Sequence, residues 1–218
     1  MRRAAAGLLL SALILAHAPA QSPTPETDPL LAQRRLAFVL RQATQHYEAG
    51  EYQAALDRLG SLPAPAAADP AARNLRGAVL TKLGDRDAAV AVFNEILASD
   101  SGYFPAAFNL AEVRYTQGDY KAALEAFLAM HATDPRNELL RFKIALCHLR
   151  LGNTDDARKF AESLIPAGST PAWYYSQAIL ARAGGDEKSA SRHLTAARVI
   201  YGDDACRLFD ESLKPASD

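Results

Sequence analysis

Glycine recurs along this chain with a fixed beat. Gly50, Gly84, Gly118 and Gly152 stand 34 residues apart, and Gly185 follows after 33. Each is followed by a polar residue: Glu51, Asp85, Asp119, Asn153 and Asp186. Glycine ends a helix cheaply in the left-handed conformation, and Asp or Asn then caps the next helix by accepting a backbone N–H. Glu51 is the weakest cap in the series. A period of this length, marked this way, means repeated helix–turn–helix units that can bury their apolar faces only by stacking on one another.

Small residues keep the same time. Seven positions before each glycine stand Ala43, Gly77, Ala111, Ala145 and Ala178, and five positions after stand Ala55, Ala89, Ala123, Ala157 and Ala190. Two antiparallel helices joined by a tight turn cross near these points, and small side chains let their backbones approach. Nine after each glycine come Leu59, Phe93, Phe127, Ala161 and Leu194, and twelve after come Leu62, Ile96, Met130, Leu164 and Ala197. These are the core positions of each second helix.

The pattern resembles the tetratricopeptide-repeat family, most clearly between Pro105 and Pro135, where Leu110-Ala111, Gly118-Asp119-Tyr120, Ala123, Phe127 and Asp134-Pro135 follow its motif. Departures occur: the usual mid-helix aromatic is replaced by His46, Leu80, Arg114, His148 and Ala181, and Trp173 lies one residue out of register. The resemblance spans residues 36–201. It implies an all-α, right-handed superhelix of about five repeats (36–69, 70–103, 104–137, 138–170 and 171–201) with a capping helix over 202–214. First helices are predicted near 30–49, 70–83, 104–117, 137–151 and 171–183, and second helices near 51–62, 86–98, 120–132, 154–165 and 187–200. Ser61 to Pro70, with three prolines, is predicted as a loop. The terminal helix carries Ala205, Leu208, Phe209 and Leu213 on one side.

The N-terminus reads as an address. Arg2 and Arg3 precede an uncharged, mostly apolar run over residues 4–16, then Ala18-Pro19-Ala20. This is the pattern of a secretory signal peptide, and the run is short for a membrane span. Cleavage after residue 20 leaves 198 residues with a formal charge of −3, preceded by a Pro-rich leader over 21–29. Export, to a bacterial periplasm, is the expectation, with no membrane insertion of the mature chain.

The whole chain has 24 Lys+Arg against 25 Asp+Glu, which lacks the basic excess of a general nucleic-acid binder. No H-E-x-x-H, G-x-S-x-G or G-x-x-x-x-G-K-[ST] motif occurs, and no cofactor, metal or catalytic residue is expected. Cys147 adjoins His148, but neighbours on a helix point about 100° apart and cannot pair as nucleophile and base by adjacency. Cys147 and Cys206 are either buried free thiols or one disulfide.

The expected function is that of a non-enzymatic scaffold holding a protein or peptide partner in its concave groove. The alternatives are a structural, self-assembling subunit or an accessory subunit of an envelope enzyme complex. In the family resembled, first helices line the groove, and the matching positions here select Asn74, Phe108, Glu112, Tyr115, Phe142, Leu146, Tyr175 and Arg182, with Asn109 and Lys143 on the rim. A row of aromatic and aliphatic side chains there forms either an exposed binding trough or packing between repeats. Some family members clamp a C-terminal carboxylate with Lys, Asn and Arg, whereas the matching places here hold Leu40, Thr44, Leu75, Pro105 and Asn109, so that clamp is not expected.

Overall fold

The structure is a computed structural model that describes residues 28–166 and 168–214. The expected signal peptide, and the leader before Asp28, lie outside these residues. All regular structure in the described residues is helical: α1 (Pro29–Glu48), α2 (Tyr52–Gly60), α3 (Ala64–Ala67), α4 (Pro70–Leu83), α5 (Arg86–Ser99), α6 (Phe104–Thr116), α7 (Tyr120–Thr133), α8 (Glu138–Arg150), α9 (Thr154–Glu162), α10 (Ala172–Ala183) and α11 (Glu187–Leu213). They form an all-α solenoid of helix–turn–helix units.

The turns work as the glycine period requires. All five repeat glycines have φ between 79° and 87°, a region open to glycine at little cost. The following acids cap the second helices: Asp85 accepts from the Ala88 N–H, Asp119 from Ala122 and Asp186 from Ser189. Glu51 and Asn153 make no side-chain cap; the Glu51 carboxylate instead meets His46 Nδ1 at 2.6 Å.

The ten small positions at the helix crossings are all buried. At Gly77 the fit is tightest, because a Cβ there would lie 2.5 Å from Cε1 of the Phe93 ring. The core-facing large residues Phe93, Ile96, Phe127, Met130 and Leu164 are buried between the two layers.

Each second helix packs on the first helix of the next repeat: α2 on α4, α5 on α6, α7 on α8 and α9 on α10. First helices also meet their counterparts, α1 with α4, α4 with α6 and α8 with α10. The first helices therefore line the inner side of the stack.

Two features depart from the sequence expectation. The segment predicted as a loop before Pro70 contains the one-turn helix α3, which packs on α1 and α4. Proline is tolerated there because Pro65 falls in the first turn, where no intrahelical N–H bond is made. Second, α11 breaks at Gly202 (φ 81°, ψ 164°), and residues 203–213 turn back across the inner side. This arm buries Cys206, Phe209 and Ser212, while Ala205 is exposed and Leu208 is 41% exposed. The buried stripe is thus rotated from the Ala205–Leu208–Phe209–Leu213 face, because the surface that receives it is partly polar.

Candidate functional site

The inner wall is built mainly from α6, α8 and α10. Phe142 on α8 and Tyr175 on α10 are fully buried. Their ring centroids lie 6.1 Å apart, and each is 5.1 Å from the ring of Phe209 on the arm. One residue along α8, Lys143 is also fully buried. Its ammonium pairs with the Glu112 carboxylate of α6, donates to Ser212 Oγ of the arm at 2.5 Å, and lies 5.9 Å from the centre of the Phe108 ring.

Charged and polar contacts fix the rest of the arm. Tyr175 Oη donates to Asp210 at 2.6 Å, and Arg198 donates to both oxygens of the same carboxylate at 2.9 and 3.0 Å. Burial, then the carboxylate beside it, pushes the Tyr175 phenol above its ordinary pKa. Lys82, at the end of α4, donates to Glu211 at 2.8 Å. Burial, the largest single influence, would lower the Lys82 pKa, but the bond to Glu211 and the electrostatic effects of Tyr47, Glu211 and Tyr52 together exceed it, and the ammonium is held above its usual range.

Of the residues selected from sequence, Phe108, Glu112, Phe142, Lys143 and Tyr175 converge around residues 209–212. Asn74 and Asn109 meet each other instead: Asn109 Nδ2 donates to Asn74 Oδ1 at 3.0 Å, tying α4 to α6. Tyr115 is buried and accepts from Arg150 Nε at 3.1 Å, and burial pushes its phenol up to about 12. Leu146 is buried within α8. Arg182 is exposed at the end of α10 and pairs with Glu187 at 3.3 Å. The wall is therefore aromatic as its spacing indicates, but largely covered.

Sequence reasoning missed Lys82, Arg198, Phe209, Asp210, Glu211 and Ser212 as parts of this site. The signal lay in Gly202 and in the run Phe209-Asp210-Glu211-Ser212, an aromatic followed by two acids and a hydroxyl.

Cys147 and Cys206 are both free and buried. Burial pushes the Cys147 thiol up to about 12, which suits an inert core thiol rather than a nucleophile. His148 is buried and stacks on Phe160 with centroids 5.8 Å apart. Among the described residues, no group of three or more His, Cys, Asp or Glu is arranged to hold a metal ion. No described helix is long and apolar enough to cross a membrane.

Comparison with known proteins agrees with this architecture. Tetratricopeptide-repeat family models match residues 40–104 and 80–138, and a further one matches 114–183. Among curated proteins none matches the sequence. Similar solved structures include a thermophilic tetratricopeptide-repeat protein of Thermus thermophilus, 21% identical, covering 82% of this chain and 98% of that one with a TM-score of 0.65. Another is MamA from residue 41 to its end, from Desulfovibrio magneticus RS-1, 20% identical over 76% of this chain and 94% of that one, with a TM-score of 0.57. At these identities the likeness is one of fold. The 34-residue glycine beat, the buried small residues at every helix crossing and the family models that together cover residues 40–183 lead to one assignment: the chain belongs to the tetratricopeptide-repeat family, a protein-interaction fold.

Proposed function

We propose that this protein is an exported, non-enzymatic scaffold of the bacterial cell envelope, acting as a structural or accessory subunit that joins another protein surface through the open end of its helix stack. One observation carries this reading: where apolar surface is exposed. An open-groove peptide receptor needs a bare inner wall, and Phe142 and Tyr175 are 0% exposed. On the outer face of α11, in contrast, Val199 is 80% and Ile200 56% exposed. With Ala196 they line a trough flanked by Lys188 and Arg192. In earlier repeats the second helix is packed by the following first helix, α5 by α6 and α7 by α8, whereas among the described residues nothing packs on this face. Contiguous apolar surface of this kind marks association sites.

Export is supported by Arg2, Arg3, the apolar run after them and Ala18-Pro19-Ala20. N-terminal sequencing of the protein from its native cell checks it, with a start at Gln21 expected and a start at Met1 rejecting it.

Light scattering across concentration tests the end face. The reading expects a mass above one chain, or recovery of a stoichiometric envelope partner, with Val199→Asp/Ile200→Asp abolishing either. A chain that stays monomeric and recovers no partner, or a double variant that associates as well as the parent, overturns it.

A further inference from the structure

The arm over residues 203–213 meets the inner wall in the way a bound helix meets a groove. The backbone turns at Gly202 with φ 81° and ψ 164°, a combination essentially restricted to glycine. Beyond it only a narrow stripe is buried: Cys206, Phe209 and Ser212, three residues apart. Arg207, Leu208 and Glu211 remain exposed along the outer side. The arm thus lies on the wall with one face, as an amphipathic helix lies in a recognition groove.

The wall beneath has the chemistry of a surface that is also made to be wet. Lys143 is fully buried, an expensive place for an ammonium. Its partner Glu112 keeps Oε1 buried without a hydrogen bond. A permanent core pairs such groups or replaces them with apolar ones. If the arm leaves, water reaches them. Charge complementarity points the same way: Lys82 and Arg198 face Glu211 and Asp210 of the arm.

We propose that this wall is a binding site for an amphipathic helix of a partner protein, and that residues 203–213 are its resident competitor, leaving by a swing at Gly202. The occupant's chemistry is read from the resident. It carries an aromatic side chain for the Phe142–Tyr175 slot, carboxylates at the next two positions for Tyr175, Arg198 and Lys82, and a hydroxyl after those for Lys143. The tethered arm sets a threshold, because a partner must outcompete a ligand at high effective concentration. This rests on the interaction-scaffold reading but uses a different surface from the outer face of α11, so either surface can fail alone.

The two free cysteines supply the test in the full-length chain: Cys206 reports the arm and Cys147 the core of α8. Under native conditions a thiol reagent followed by mass spectrometry is expected to modify Cys206 about tenfold or more faster than Cys147, since a sub-global opening precedes global unfolding. Glu211→Lys, which sets two cations against each other at Lys82, is expected to speed Cys206 further and leave Cys147 unchanged. A fluorescent synthetic peptide of residues 203–214 with Cys206→Ser is expected to bind the full-length Glu211→Lys chain more tightly than the parent, and to lose binding with Phe209→Ala in the peptide. If both thiols react together in both proteins, the arm is ordinary core and the proposal is overturned. Peptide binding that ignores Phe209 overturns it too. So does Cys206 exposure that appears only with dimer formation, which would make the occupant a second copy's arm.

Discussion

Gly77→Ala is the perturbation for which the repeat geometry makes the least intuitive prediction. In an ordinary helix interior the change stabilises by about 1 kcal/mol, because alanine loses less backbone entropy. Here the new Cβ would lie 2.5 Å from Cε1, 2.7 Å from Cζ and 3.1 Å from Cδ1 of the fully buried Phe93 ring. Carbon–carbon contacts relax near about 3.5–4.0 Å, so the ring must retreat by about 1 Å. Overpacking of that kind costs about 1–3 kcal/mol. The third repeat limits the cost, since Ala111 and Phe127 occupy the same two positions there and both are buried. The expected net effect is a destabilisation of about 1 kcal/mol, a shift in Tm of roughly 2–4 °C for a chain of this size. Urea unfolding followed by helical circular dichroism measures it. In a Phe93→Leu background the same change should reverse sign and stabilise, because the clashing ring edge is gone. A Gly77→Ala chain more stable than its parent, with no sign change in the double variant, would refute the close-approach argument.

Other outcomes follow from single groups. His148 has its pKa lowered, chiefly by burial, with Asp156 opposing and Lys159 adding to the effect. The unfolded chain therefore binds a proton more readily, and stability present above the ordinary value of 6.5 is lost as pH falls toward the folded-state pKa. His148→Gln should flatten that part of the acid limb in denaturant titrations compared between neutral and mildly acidic buffer, and an unchanged limb would count against the buried-neutral imidazole. Glu138 accepts from the Thr170 N–H at 2.9 Å, the Thr170 hydroxyl at 2.6 Å and the Ser169 N–H at 3.3 Å, holding the connection between α9 and α10. Glu138→Ala should cost about 1–2 kcal/mol. Faster amide exchange at Ser169 and Thr170 checks the mechanism, and unchanged exchange there would dismiss the clamp.

What the amino-acid order alone determined here is local and repetitive. A glycine at positive φ, a polar residue at the next helix start and small residues at each helix crossing are demands that every unit makes on its own backbone. They can be read in one unit and checked in the next, and the ten small residues at the crossings are buried as that reading requires. The helix ends match to within a few residues for the same reason, and the exception, α3, arises because proline in a first turn permits what proline elsewhere forbids. The fate of the groove was a different matter. Phe108, Glu112, Phe142, Lys143 and Tyr175 lie on the inner wall, but whether that wall is bare depends on a helix that arrives from the far end of the chain. Its contact between Lys82 and Glu211 joins residues 129 apart in sequence. No periodicity encodes such a meeting, and the arm's buried stripe of Cys206, Phe209 and Ser212 is too polar to be found by apolar pattern alone. Only the folded stack brings Lys143, a costly charge to bury, within reach of the Ser212 hydroxyl, and sets Phe209 against the Phe142 and Tyr175 rings, because these partners lie far apart in the chain.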